Sequence, residues 1–147
     1  MNGKKARYHF ENGYMCAESV LLAICEAEQI DSPCVPAIAT AFCSGISRTK
    51  GLCGALTGGI MGISLIHGRT KPGKSHDVCY DLTRSLTDHF QNKYKTDNCF
   101  ELTNCDFSTP EGSKKFKTDG LKEKICLNVV EEITDYTLEL LRQQKEN

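Results

Sequence analysis

Nine of the 147 residues are cysteines, and their thiols are the side chains here with the widest chemistry. A thiolate can serve as a redox group, a nucleophile or a soft metal ligand. The first five lie at 16, 25, 34, 43 and 53, followed by 79, 99, 105 and 126. The near-regular early steps are read as coincidence, because the residues between them do not match. Nine residues of helix turn through about 900°. Cys16 and Cys25 on one helix would therefore face opposite ways, and at most one belongs to any given site. No C-x-x-C occurs, which removes the thioredoxin-type dithiol, the zinc ribbon and the bacterial ferredoxin run. There is also no C-x-x-C-H, H-E-x-x-H, G-x-S-x-G or P-loop. Any metal site must gather its thiolates from separate helices. The odd count excludes a fully disulfide-paired monomer.

The densest local feature runs from Gly51 to Gly59, with Cys53 expected in the first turn of a helix. Unpaired N–H groups and the helix dipole favour a thiolate there. No Asp or Glu occurs from Ser32 to His76, while Arg48, Lys50, Arg69, Lys71 and Lys74 do. That stretch predicts a positive local field that lowers the Cys53 pKa or stabilises an anionic ligand. Gly54, Gly58 and Gly62 recur every four residues. Each glycine inside a helix costs about 1 kcal/mol against alanine. The offset is expected from close approach of another helix, of a bulky cofactor, or of both. His9, His67, His76 and His89 lack paired spacing and are read as surface or cap residues.

These residues need elements to position them, and the chain reads as helical almost throughout. Ala17, Val20, Leu21 and Ile24 form one helical face. Ser32-Pro33 reads as N-cap and N1 of a second helix reaching about Phe42. Leu52–His67 is a third, uncharged helix. Ser75 caps a fourth, with Val78, Leu82, Leu86 and Phe90 on one face. One helical turn is expected near Phe100–Thr103. Ser108-Thr109-Pro110-Glu111 reads as a capping box, and Asp119-Gly120 as a stop. The last helix is expected from Lys122 to Gln143, with Ile125, Val129, Ile133, Tyr136 and Leu140 as its stripe. The expected architecture is all-α: a single-domain bundle of about five to six helices over residues 1–147.

Net charge is −1 and the pI is near 6.4, which argues against nucleic-acid binding. The N-terminus lacks the apolar run of a signal peptide. The uncharged run Gly51–Gly68 contains six glycines and is read as a buried helix, so no stable membrane insertion is expected. The expected compartment is the cytoplasm, where thiols stay reduced.

Four segments together resemble the redox-active family labelled by the pattern C, GCAxxG, C, C. Asn12-Gly13-Tyr14-Met15-Cys16-Ala17-Glu18-Ser19-Val20 resembles the opening segment. Cys53-Gly54-Ala55-Leu56-Thr57-Gly58 resembles the second, with the first two residues exchanged relative to the label. Asn98-Cys99-Phe100-Glu101-Leu102 followed by Asp106–Gly112 resembles the third, and Cys126 supplies the fourth cysteine. The pattern is also similar to the cluster-bearing part of split-Soret cytochromes c. That likeness implies an iron–sulfur cluster, of the 2Fe–2S type, on Cys16, Cys53, Cys99 and Cys126, with Gly54 and Gly58 beside it. Cys25, Cys34 and Cys79 are then bystanders, while Cys43 and Cys105 could exchange with a ligand or act as resolving thiols.

Three functions follow as expectations. The first is electron transfer or redox sensing through such a cluster, with a redox partner protein still to be identified. The second is a metal-free thiol–disulfide oxidoreductase with Cys53 as nucleophile. The third is a bundle held by a structural zinc on four cysteines. A homodimer packed through the glycine-rich face is a further expectation.

Overall fold

Apolar residues at helical spacing build eight helices and no strand among the described residues. The structure is a computed structural model that describes residues 2–147. The order is α1 (Gly3–Glu11), α2 (Cys16–Glu28), a 3-10 segment (Ala37–Phe42), α3 (Cys43–Arg48), α4 (Gly54–His67) and α5 (Asp77–Tyr94). Then follow α6 (Cys99–Thr103), α7 (Pro110–Thr118), a π turn (Lys122–Cys126) and α8 (Leu127–Glu146). The all-α expectation holds, but the helices number eight rather than five to six. The surplus comes from the polar α1 and the short α3 and α6. α1 hides in the sequence because only Ala6 and Phe10, four residues apart, face the core.

Two other expectations need correction. The helix expected from Ser32 begins only at Ala37, as a 3-10 segment. Pro33 and Pro36 each lack an N–H, and each disfavours helical geometry in the residue before it. α7 is capped by Thr109 rather than Ser108: the Thr109 hydroxyl accepts from Gly112 N at 3.0 Å. Ser108 instead folds onto Asp106 Oδ1, donating its N–H at 3.0 Å.

The core lies between α2, α4, α5 and α8, with Val20, Ile24, Leu56, Ile63, Leu86, Phe90, Ile133 and Leu141 fully buried. α4 packs on α2 through its glycines. A Cβ at Gly54 would overlap Cys16 Sγ. One at Gly58 would lie 2.8 Å from Ala17 O and 2.9 Å from Val20 Cβ, and one at Gly62 2.7 Å from Ile24 Cδ1. These contacts climb both helices in step, so α2 and α4 run parallel. Gly59 faces the other way, where a Cβ would be 2.8 Å from both Leu86 Cδ2 and Thr137 Oγ1. The glycine-rich helix is thus enclosed by its own chain, which removes the face on which the expected homodimer rested.

α8 also runs parallel to α2, since Lys145 near its end pairs with Glu28 at the end of α2. α1 lies antiparallel on α8. Gly3 N donates to Asp135 Oδ1 at 2.8 Å, Arg7 pairs with Glu131 at 3.0 Å, and Lys122 Nζ donates to Phe10 O at 3.1 Å. α5 runs back against α4 and meets α8 where His89 hydrogen-bonds Glu132 at 2.7 Å and stacks on Tyr136. Among the described residues no helix is long and apolar enough to cross a membrane.

The backbone approach at Gly58 yields a prediction. Alanine gains about 1 kcal/mol in helix propensity, but overpacking against an immobile carbonyl costs about 1–3 kcal/mol. Gly58→Ala is expected to lower stability by up to about 2 kcal/mol in urea unfolding. A raised midpoint would contradict the close packing.

Candidate functional site

Four separate elements each bring one cysteine to the same end of the bundle. Cys16 is the first residue of α2 and Cys53 the N-cap of α4. Cys99 is the first residue of α6, and Cys126 closes the π turn that feeds α8. Cys53 and Cys99 are held across from each other by a single antiparallel bridge between Leu52 and Asn98. Cys53 N donates to Asp97 O at 2.8 Å, and Cys99 N donates to Gly51 O at 2.9 Å. Asn98 secures the junction twice over. Its amide donates to Lys50 O, and its carbonyl oxygen caps α6 by accepting from Glu101 N at 3.0 Å.

α3 supports the same junction with an unusual backbone. Ser44, Gly45, Ile46 and Ser47 all have φ between 55° and 65°, a left-handed turn. Left-handed geometry costs an L-residue roughly 1–2 kcal/mol, and Ile46 is β-branched. Such strain persists where surrounding contacts fix it. Here Gly51 N donates to Gly45 O at 2.8 Å, and Thr49 Oγ1 closes the turn on Ile46 O at 2.6 Å. Gly45 must be glycine on steric grounds too, because a Cβ would lie 2.7 Å from Cys99 Cβ.

Cys16, Cys53, Cys99 and Cys126 line one cavity of about 180 Å³. Its other walls are almost wholly apolar: Phe10, Met15, Ala55, Leu102, Phe107, Phe116, Val129 and Val130, with Ser44 and Thr103. Phe107 and Phe116 meet edge to face at 4.9 Å and close one side. No His, Asp or Glu is among the lining residues, so the available donors are soft sulfurs. The thiols line the cavity without converging on one point: among the described residues no group of three or more His, Cys, Asp or Glu is arranged to hold a metal ion.

The family described as "Putative redox-active protein (C_GCAxxG_C_C)" matches residues 14–140. The chain belongs to this family. No curated protein and no solved structure gives a match. The matched stretch contains all four cavity cysteines, and Gly54 gives Cys16 Sγ its room. Gly58 stands apart from the cavity lining and serves the packing of α4 on α2.

Two further cysteines of this family member stand beside the site. Cys43 is buried and donates its thiol to Ala39 O at 3.6 Å. Cys105, also buried, donates to Thr103 O at 3.4 Å and lies near enough to Cys99 and Cys126 to shift their titration. Sequence spacing singled out both without placing them. Cys25, Cys34 and Cys79 lie elsewhere. Cys25 is packed with Leu21 and Ala39, Cys34 is exposed, and Cys79 faces Ser64 at 3.8 Å.

The expected positive field does not surround Cys53. Lys50 pairs with Asp106 at 3.3 Å, and its ammonium lies over the Phe100 ring. Arg69, Lys71 and Lys74 follow α4, a 14-residue helix, so they sit about 20 Å along it from Cys53. A run without acids in sequence is not a basic patch in space. The backbone N–H groups of Ala55 and Leu56 do favour a Cys53 thiolate, but burial outweighs them and pushes the thiol up to about 12. The expected lowering of its pKa is therefore corrected. Burial likewise raises Cys126 to about 12 and Cys99 to about 11, each helped by neighbouring cysteines.

These shifts set a pH dependence. The thiols ionise near 9.0 unfolded and at about 11 to 12 folded. The folded state therefore favours the neutral thiols. This stability is complete below about pH 9 and is lost as pH rises toward the folded values. The urea midpoint of the reduced, metal-free protein is expected to fall above about pH 9, and to fall less steeply in Cys53→Ala. A flat profile would contradict a dry cavity.

Proposed function

We propose that this protein is a redox protein that holds an iron–sulfur cluster on Cys16, Cys53, Cys99 and Cys126, and that it transfers or senses electrons through it. The observation that carries this reading is the convergence of those four cysteines, from four separate elements, on one small apolar cavity. Iron–sulfur clusters are held by four thiolates, and their potentials respond to burial and to hydrogen bonds at sulfur. When bound, the cluster would supply one-electron chemistry. The chain's own residues would supply the thiolates, exclude water through the phenylalanine, leucine and valine walls, and place helix N–H groups near sulfur.

The donor set suits a soft group, because the cavity lining contains no carboxylate or imidazole. Burial holds the protons on these thiols, so a metal would have to displace them and its binding would release protons. The same burial weighs against Cys53 as the low-pKa nucleophile of a metal-free thiol enzyme. Localisation in the cytoplasm and a separate redox partner protein remain part of this reading.

The test is anaerobic reconstitution of the full chain with ferrous iron and sulfide. The expected product is brown, with sulfur-to-iron charge-transfer absorption and iron and sulfide in equal amounts. Cys53→Ser, Cys99→Ser and Cys126→Ser are each expected to lower iron content severalfold, while Cys34→Ser leaves it unchanged. A colourless protein that takes up zinc but no iron with sulfide would overturn the reading.

A further inference from the structure

The loop 106–109 and α7 lie over the cavity without belonging to the core. α7 buries one residue, Gly112. A Cβ there would overlap Asp106 O, which is part of the same excursion. The apolar anchors are Phe107 and Phe116. They meet each other edge to face and line the cavity. Neither packs against the two clusters of buried residues that form the core. Side chains that rest on a hollow forfeit part of the dispersion contacts that packed atoms would give. Polar ties are few as well. Among the described residues, Lys50 Nζ lies 3.3 Å from Asp106 Oδ2, and Lys115 Nζ donates to Asn104 O at 3.1 Å. Both lysines are exposed, and exposed ties of this kind hold weakly.

Both ends of this excursion suit a pivot. Ahead of it Asn104 has φ 54°. Cys105 stays with α6, buried, its N–H bonded to Thr103 Oγ1 at 3.2 Å. Behind it Gly120 has φ 62°, and a Cβ there would meet nothing nearer than 3.8 Å. Glycine in open space changes its backbone angles at little steric cost. Segments with few buried contacts are also the first to open in a native protein. We propose that residues 106–119 form a hinged lid on the cavity, and that iron and sulfide reach the four cysteines when it swings open. The swing lifts Phe107 and Phe116 away and breaks the Lys50–Asp106 pair. It leaves the remaining walls on α1, α2, α4 and α8 in place, because those helices are locked by the core.

The lid stands on packing alone, whereas what passes beneath it rests on the cluster reading. Cys53 is the thiol that needs the opening most, since it is 8% exposed at the start of α4. Cys25 is the matched reference. It is 5% exposed and packs in the second cluster with Leu21 and Ala39, so only a larger opening of the chain reaches it.

The test follows alkylation of the reduced, iron-free full chain by iodoacetamide under native conditions, cysteine by cysteine, using peptide mass spectrometry. Cys53 is expected to react severalfold faster than Cys25. Lys50→Gln removes the ionic tie without opening a hole, and is expected to speed Cys53 by up to about fivefold. Phe116→Ala is expected to speed it further, with the Cys25 rate unchanged in both variants. Equal rates at Cys53 and Cys25, or a Cys25 rate that rises in step with that of Cys53, would overturn the lid, because both thiols would then report unfolding of the whole chain. A Cys53 rate indifferent to both variants would overturn it as well. Uptake of ferrous iron and sulfide, measured in parallel, keeps the two readings separate. The expected alkylation pattern without iron uptake sinks the cluster alone. Iron uptake with Cys53 as slow as Cys25 sinks the lid alone. Where both hold, Lys50→Gln is expected to load severalfold faster to the same final iron content.

Discussion

The close parallel approach of α2 and α4 is the constraint on which the remaining structure depends. It is made possible by missing side chains at Gly54, Gly58 and Gly62, against which Cys16, Ala17, Val20 and Ile24 lie. Parallel packing places both helix starts at one end, so Cys16 and Cys53 become neighbours by the register of the helices rather than by any contact of their own. Helix starts also bring unpaired N–H groups, which favour negative charge. Those groups supply the favourable contribution at Cys53 that Lys50, Arg69, Lys71 and Lys74 were expected to provide and do not.

Around that pair the chain adds its other thiols by different means. Cys99 is aligned by the two backbone hydrogen bonds flanking the Leu52–Asn98 bridge and by the left-handed turn beneath it. Cys126 arrives on a π turn, a form of helix common at functional sites. Apolar walls then dry the space between them. The cost is visible in the thiols, whose ionisation is pushed toward high pH by burial.

Much of this was legible in the sequence. Helical periodicity placed α2, α4, α5 and α8, because each carries an apolar stripe long enough to be read. The four cavity cysteines were legible through family resemblance, since spacing alone could not bring together residues from 16 to 126. What escaped has physical causes. α1 shows only Ala6 and Phe10 to the core, and the left-handed geometry of α3 is held by Thr49 and Gly51 beyond its end, through hydrogen bonds to Ile46 O and Gly45 O. The role of Gly58 was open between packing and cofactor, and only the register of α2 against α4 decides it. The Cys53 environment was misread because charge along a chain says nothing of depth.

The cavity draws its walls from Phe10 through Val130, nearly the length of the chain. During synthesis, which proceeds from the N-terminus, α1 leaves the ribosome with no partner. Its docking surface on α8 follows only after more than a hundred further residues. Until then Cys126, Val129 and Val130 are missing from the walls, and the space between the thiols does not exist. The cavity is thus a late product of folding, closed by a segment far along the chain from the one that opens it.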